Sequence, residues 1–123
     1  SLGLVGSEMC IRDSLKGSAQ RANTVIGCIT TDALLSKAEC KRVALAAHDG
    51  LARAIRPAHT PMDGDTIFAA ATGLKPLTRG AIDLTEISIA AADVLARAIA
   101  RGIYEAKALP FSGALPDWNS KFR

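Results

Sequence analysis

Apolar and polar positions along this chain follow two different periods, and together they predict four elements. From Thr24 to Thr31 β-branched residues dominate, with Val25, Ile26 and Ile29 spread over both faces, which predicts a strand covered on both sides. Asp32 to Leu35 is a short connection. Ser36 to about Ile55 then turns helical: Val43, Ala44, Ala47, Leu51, Ala54 and Ile55 recur on one side, and Lys37, Lys41 and Arg42 lie outward. Ser36-Lys-Ala-Glu39 is a capping box, because the Ser36 hydroxyl can accept from the Glu39 amide while the Glu39 carboxylate reaches back to the Ser36 amide. Gly50 inside this helix costs about 1 kcal/mol relative to alanine, so a close neighbour is expected there. Pro57 and Pro61 end the helix and stiffen the loop beyond it.

A second strand is predicted over Asp65 to Thr72, through Ile67, Phe68 and Ala69-Ala70-Ala71, followed by a loop from Gly73 to Gly80. Asp83 or Thr85 is expected to cap a second helix reaching about Ala108. Its polar residues Glu86, Asp93, Arg97, Arg101 and Glu105 fall on one narrow line, with Asp93–Arg97 and Arg101–Glu105 spaced for i,i+4 pairs. The remaining faces are apolar, so most of this helix is expected to be buried. Residues 109–123, with Pro110, Gly113 and Pro116, read as an irregular tail in which Trp118 and Phe122 are candidate anchors. The order strand, helix, strand, helix predicts an α/β layered domain with both helices on one face of a sheet. The opposite face stays bare unless another sheet or chain covers it.

Composition sharpens this picture. Apolar residues make up 49% of the chain but aromatics only 4%, so the core is built from close-approaching backbones. It gains less per residue than a Leu/Phe core at roughly 25 cal/mol per Å² buried, and a chain of one small domain hides only about 60–65% of its unfolded surface. A partner surface is therefore expected. The net charge of +3 is spread along the helices without a run of like charge, which speaks for solvated faces and against a nucleic-acid partner. The most apolar helix carries Asp93 and Arg97 in its middle, which speaks against a membrane span. The three cysteines, Cys10, Cys28 and Cys40, form neither a disulfide framework nor a metal-type spacing. No cofactor or metal is expected, and a reducing, cytoplasmic compartment is.

The first residues stand apart. Leu4-Val-Gly-Ser-Glu-Met-Cys-Ile-Arg-Asp-Ser14 back-translates into a string resembling a transposase-based sequencing-library adapter. Residues 1–14 are accordingly set aside as non-native. The natural sequence is then expected to begin near Leu15 within a longer reading frame, so that a signal peptide, where there is one, lies upstream. Residues 15–23 are small and polar and read as a loop or tail.

Two short segments carry candidate chemistry. Asn23-Thr24 sits where the polar tail meets the first strand. A threonine hydroxyl needs a base beside it, and peptide cleavage before Thr24 would supply one, the freed α-amine of the same residue, whose pKa of about 7.7–8.0 suits proton transfer near neutrality. Asp63-Gly-Asp65 places two carboxylates around a glycine that permits a tight turn, so both can converge on one point near Thr24. Each segment alone is equally an ordinary strand start or Asx turn. A calcium loop is disfavoured, since two carboxylates fall short of six to eight oxygen donors. His48, in the helix, and His59, in the loop, read as structural.

The stretch Asn23-Thr-Val-Ile-Gly-Cys-Ile-Thr-Thr-Asp-Ala33, followed by Lys41-Arg42, His48-Asp-Gly-Leu-Ala-Arg53, Arg56-Pro-Ala-His-Thr60 and Asp63-Gly-Asp65, closely resembles the DmpA-type aminopeptidases and their nylon-oligomer hydrolase relatives. The resemblance runs from about Asn23 to Ala106. It implies half of an αββα sandwich, an architecture shared with ornithine acetyltransferase-like enzymes, made from one precursor cut into α and β chains. Residues 15–23 are then the tail of the α chain, 24–108 the β-subunit core and 109–123 a C-terminal tail. Carried over, Thr24 is the nucleophile and general base, Asn23-Thr24 the cleavage site, and Asp63 and Asp65 the acidic pair beside it. Threonine and aspartate at these positions side with the nylon-oligomer branch. The implied activity is hydrolysis of small peptides, β-peptides or ω-amino-acid oligomers, by homo-oligomers of αβ units. The implied lysine and oxyanion-binding asparagine belong to the α chain, so this chain alone is expected to be inactive. The alternatives are an acyl transferase of the same architecture and a non-catalytic α/β interaction module.

Overall fold

A computed structural model describes residues 24–61 and 63–122. The adapter-like segment 1–14, the tail 15–23 and with it Asn23 lie outside the described residues. Five elements follow in order: β1 (Ile26–Ala33), α1 (Lys37–Ala54), β2 (Thr66–Lys75), α2 (Ala81–Glu105) and a short α3 (Trp118–Phe122). β1 and β2 pair in parallel, from Ile26 opposite Thr66 to Thr31 opposite Ala71, with an irregularity before Ala33 meets Lys75. Parallel neighbours need a crossover rather than a hairpin, and α1 provides it.

The capping box forms as its residues predict. Ser36 Oγ accepts from the Glu39 amide at 3.3 Å, and Glu39 Oε2 accepts from the Ser36 amide at 2.7 Å. Val43, Ala47 and Leu51 of α1 are buried against Ile29 of β1, Ile67 of β2, and Ala91 and Leu95 of α2. Gly50 is where the two helices come closest. A Cβ built there would lie 2.8 Å from the carbonyl carbon of Ala92 and nearer still to its oxygen.

Four expectations are corrected. α2 begins at Ala81, and neither Asp83 nor Thr85 caps it. Asp83 Oδ2 instead accepts from the amides of Thr78 and Arg79, both at 2.9 Å, closing the turn before the helix. Thr85 Oγ1 donates to the Ala81 carbonyl inside it. Nor is α2 mostly buried: only Ala91, Ala92 and Leu95 are, while Ile82, Ile89 and Val94 are exposed. An apolar helix surface is hidden only where something packs on it, and among the described residues α1 and the sheet cover one stripe. For the same reason the described residues cover β1 on one side only. Ile29 and Ala33 point to the helices, whereas Ile26 and Cys28, with Phe68 and Leu74 of β2, line an open face on which Phe68 is 58% exposed. The i,i+4 pairing is realised in Arg101–Glu105, but Asp93 reaches across to Arg53 of α1 at 2.7 Å instead of along to Arg97.

The tail is less irregular than its prolines suggest. Asp117 Oδ1 accepts from the Ser120 amide at 2.8 Å, and the Trp118 and Phe122 rings meet at 4.4 Å. Among the described residues no helix is long and apolar enough to cross a membrane.

Candidate functional site

The parallel pairing brings the head of β1 beside the loop that enters β2. The Thr66 amide donates to the Val25 carbonyl at 2.9 Å, extending the ladder back to the residue after Thr24. Thr24 is exposed and packs on the loop: a Cβ at Gly64 would stand 2.9 Å from Thr24 Oγ1. Glycine at position 64 thus leaves room for the hydroxyl.

Asp65 sits directly behind that contact. Its side chain is only 5% exposed, and an ionised carboxylate removed from water needs partners. Oδ1 accepts from the Val25 amide at 3.1 Å, and Oδ2 from the His59 amide at 3.2 Å, with His59 Nδ1 also at 3.2 Å. The Val25 amide is the peptide nitrogen following Thr24, so Asp65 fixes the peptide plane that carries the nucleophile candidate.

Asp63 behaves differently. Its Oδ2 accepts from the Thr60 amide at 2.9 Å and the Thr60 hydroxyl at 2.8 Å, closing the turn 60–63 back onto its first residue. The two carboxylates flanking Gly64 therefore serve separate hydrogen-bond sets. The structure brings Thr24, Gly64 and Asp65 together, whereas the described hydrogen bonds of Asp63 stay within its own turn.

The Thr60 amide, and then its hydroxyl, hold the Asp63 carboxyl below the usual aspartate range. A folded-state pKa below the unfolded one gives stabilisation that is fully present above the unfolded value. It is lost as pH falls through the folded value. Protection of the Thr60 amide, its NMR exchange rate taken relative to the intrinsic rate at each pH, is therefore expected to fall as pH drops below the ordinary aspartate pKa. In Asp63→Asn it is expected to show no such step.

His59 is the site residue that sequence reasoning missed. It has a positive φ of 57° and packs its ring against His48 of α1, with centroids 4.8 Å apart. In the sequence His59 stands only as one residue of the segment Arg56-Pro-Ala-His-Thr60, and its contact with Asp65 appears once the loop folds back. Among the described residues no group of three or more His, Cys, Asp and Glu side chains is arranged to hold a metal ion.

Fold and site together define an α/β layer that presents a threonine hydroxyl at the head of its first strand, braced by a buried carboxylate. The sequence matches peptidase family S58 over residues 3–114, and the chain belongs to that family. The match takes in residues 4–14 as well. An uncharacterized aminopeptidase of Mycobacterium bovis is 49% identical over 113 residues, covering 81% of this chain and 31% of the relative. One from Mycobacterium leprae is 48% identical, covering 77% and 29%. A 6-aminohexanoate-oligomer endohydrolase of a Kocuria strain is 40% identical over 60 residues, covering 49% and 17%. The chain thus spans less than a third of the length of these curated relatives.

Proposed function

We propose that this chain is the nucleophile-bearing part of a longer, self-processing N-terminal threonine amidohydrolase. The observation that carries the reading is the juxtaposition of Thr24 Oγ1 with Gly64, together with the hold of Asp65 on the Val25 amide. In maturation the Thr24 hydroxyl adds to the Asn23 carbonyl carbon. The Asn23–Thr24 C–N bond breaks as the nitrogen takes up the hydroxyl proton, leaving an ester. Water then cleaves the ester, giving a carboxylate on Asn23 and a free α-amine on Thr24. That amine accepts the hydroxyl proton when Thr24 attacks a substrate amide. The departing amine takes the proton, and water releases the acyl group.

Membership in a peptidase family, with relatives named aminopeptidase and 6-aminohexanoate-oligomer endohydrolase, supports small peptides, β-peptides or ω-amino-acid oligomers as substrates. The open face of β1 and β2 would receive the sheet of the α chain, at the roughly 10 Å spacing of packed sheets. The exposed apolar residues of α2 suit further contacts in a homo-oligomer of αβ units. Free Cys28 and Cys40 suit a reducing, cytoplasmic setting.

The half-buried Asp63 carboxylate, on the loop beside the nucleophile, favours substrates with a free ammonium end, whereas Asp65 is engaged by Val25 and His59. The full-length protein is expected to hydrolyse free 6-aminohexanoate oligomers about tenfold faster than N-acetylated ones, the scale of one hydrogen bond to a charged group. Product analysis by liquid chromatography measures this, and equal rates would remove the ammonium contribution.

A further inference from the structure

We infer that His59 is a positioning residue for the nucleophile, acting through Asp65. The inference rests on the reading of Thr24 given above. Asp65 is a buried carboxylate whose two oxygens do different work. Oδ1 faces the Val25 amide, while Oδ2 is gripped by the backbone amide and the ring Nδ1 of one residue, His59. The amide bond to Oδ2, with the ring Nδ1 packed 3.2 Å from the same oxygen, restricts the carboxylate torsion, which otherwise has a broad, roughly two-fold well. With Oδ2 held, Oδ1 can only aim at the peptide that follows Thr24.

The grip has an energetic cost that marks it as over-determined. The φ of 57° puts a non-glycine residue in the left-handed region, a strained conformation that persists only where the surroundings enforce it. This backbone lets the amide and the ring of the same residue reach one oxygen. Behind the ring stands His48, tilted 58° to it, whose buried Nδ1 has no hydrogen-bond partner among the described residues. Anchored in α1, His48 limits the freedom of the His59 ring and ties the loop to the helical layer. The path runs His48, His59, Asp65, Val25 amide, Thr24. It touches no substrate atom, so its effect is on the angle of attack rather than on substrate affinity.

The test uses the full-length protein, with rates normalised to the cleaved fraction. His59→Gly keeps the backbone donor, accepts the left-handed conformation and removes only the ring. It is expected to lower kcat about 10–100-fold while KM stays within about threefold, as for a small misplacement of a reacting group. Added imidazole is expected to restore most of the loss. His59→Asn puts an amide donor near the position of Nδ1 and tolerates positive φ, so its kcat is expected within about fivefold of wild type. Should the glycine variant fail to fold, His59→Asp gives the same comparison, being the size of asparagine but setting a like charge against Asp65; it is expected to lose kcat where asparagine keeps it. Wild-type kcat in His59→Gly, or a loss that neither imidazole nor asparagine restores, or equal rates for asparagine and aspartate, overturns the inference. Thr24→Ala run in parallel separates the two readings. If it stays active, the nucleophile assignment falls; if it is dead while His59→Gly matches wild type, only the role of His59 falls.

Discussion

Thr24→Ala in the full-length protein is expected to give one uncut chain with amide hydrolysis reduced by about 10⁴-fold or more, the scale of losing a covalent nucleophile. Alanine removes the hydroxyl that attacks in both maturation and turnover and also prevents the α-amine from being freed. The substitution should leave the fold intact, because the bonds that set the head of β1 do not use the hydroxyl. Asp65 still receives the Val25 amide, and the Val25 carbonyl still receives the Thr66 amide. Thr24→Ser, which keeps a hydroxyl in the same place, should still be cut and active. Steady-state rates on a 6-aminohexanoate oligomer, with a melting curve for each variant, measure this. An alanine variant as active as wild type would remove Thr24 from the chemistry.

The largest effect on stability is expected at Gly50. A methyl group there meets the Ala92 peptide itself, with its carbonyl carbon at 2.8 Å and its Cα at 3.0 Å. Neither can rotate away, so α1 and α2 must separate. That separation opens the core where Ala47 and Leu51 meet Ala91 and Leu95. Overpacking a tight core costs typically 1–3 kcal/mol and sometimes more, and Gly50→Leu adds volume that the crossing cannot hold. Gly50→Ala gains about 1 kcal/mol of helix propensity yet is expected to be a net loss, and Gly50→Leu to lose about 3 kcal/mol or not fold at all. Gly102, on α2 with nothing within 4 Å of a built Cβ, is the control; Gly102→Ala should be neutral or gain up to about 1 kcal/mol. Denaturant midpoints compare the three, and an unchanged midpoint for Gly50→Leu would contradict the close crossing.

Much of this fold can be read from local pattern. The β-branched run, the helical spacing of Val43, Ala47 and Leu51, and the Ser36–Glu39 box each identify an element from its own residues. The penalty of a mid-helix glycine correctly announced a close neighbour at Gly50. Burial was less legible, because it depends on what lies alongside. The apolar faces of α2 and the outer side of β1 are patterned for neighbours that the described residues do not include. Pairings across elements also escape local spacing: Asp93 is set for Arg97 at i,i+4, but the crossing at Gly50 brings Arg53 within reach.

At the site, Thr24 and Asp65 were marked by position and chemistry. Their relation through the Val25 amide depends on the parallel register of β1 and β2. Asp63 and Asp65 look equivalent in sequence because each flanks Gly64, yet one closes its own turn on Thr60 and the other turns inward. His59 showed no signal of its own, since its grip on Asp65 arises from a left-handed backbone that no residue type at that position announces.

The most direct test of the account is the intact mass and N-terminal sequence of the purified full-length wild-type protein. Two chains, broken between Asn23 and Thr24 and together one water heavier than the precursor, are predicted. A single uncut chain that hydrolyses the same amides, or a break elsewhere that leaves Thr24 internal, would contradict it.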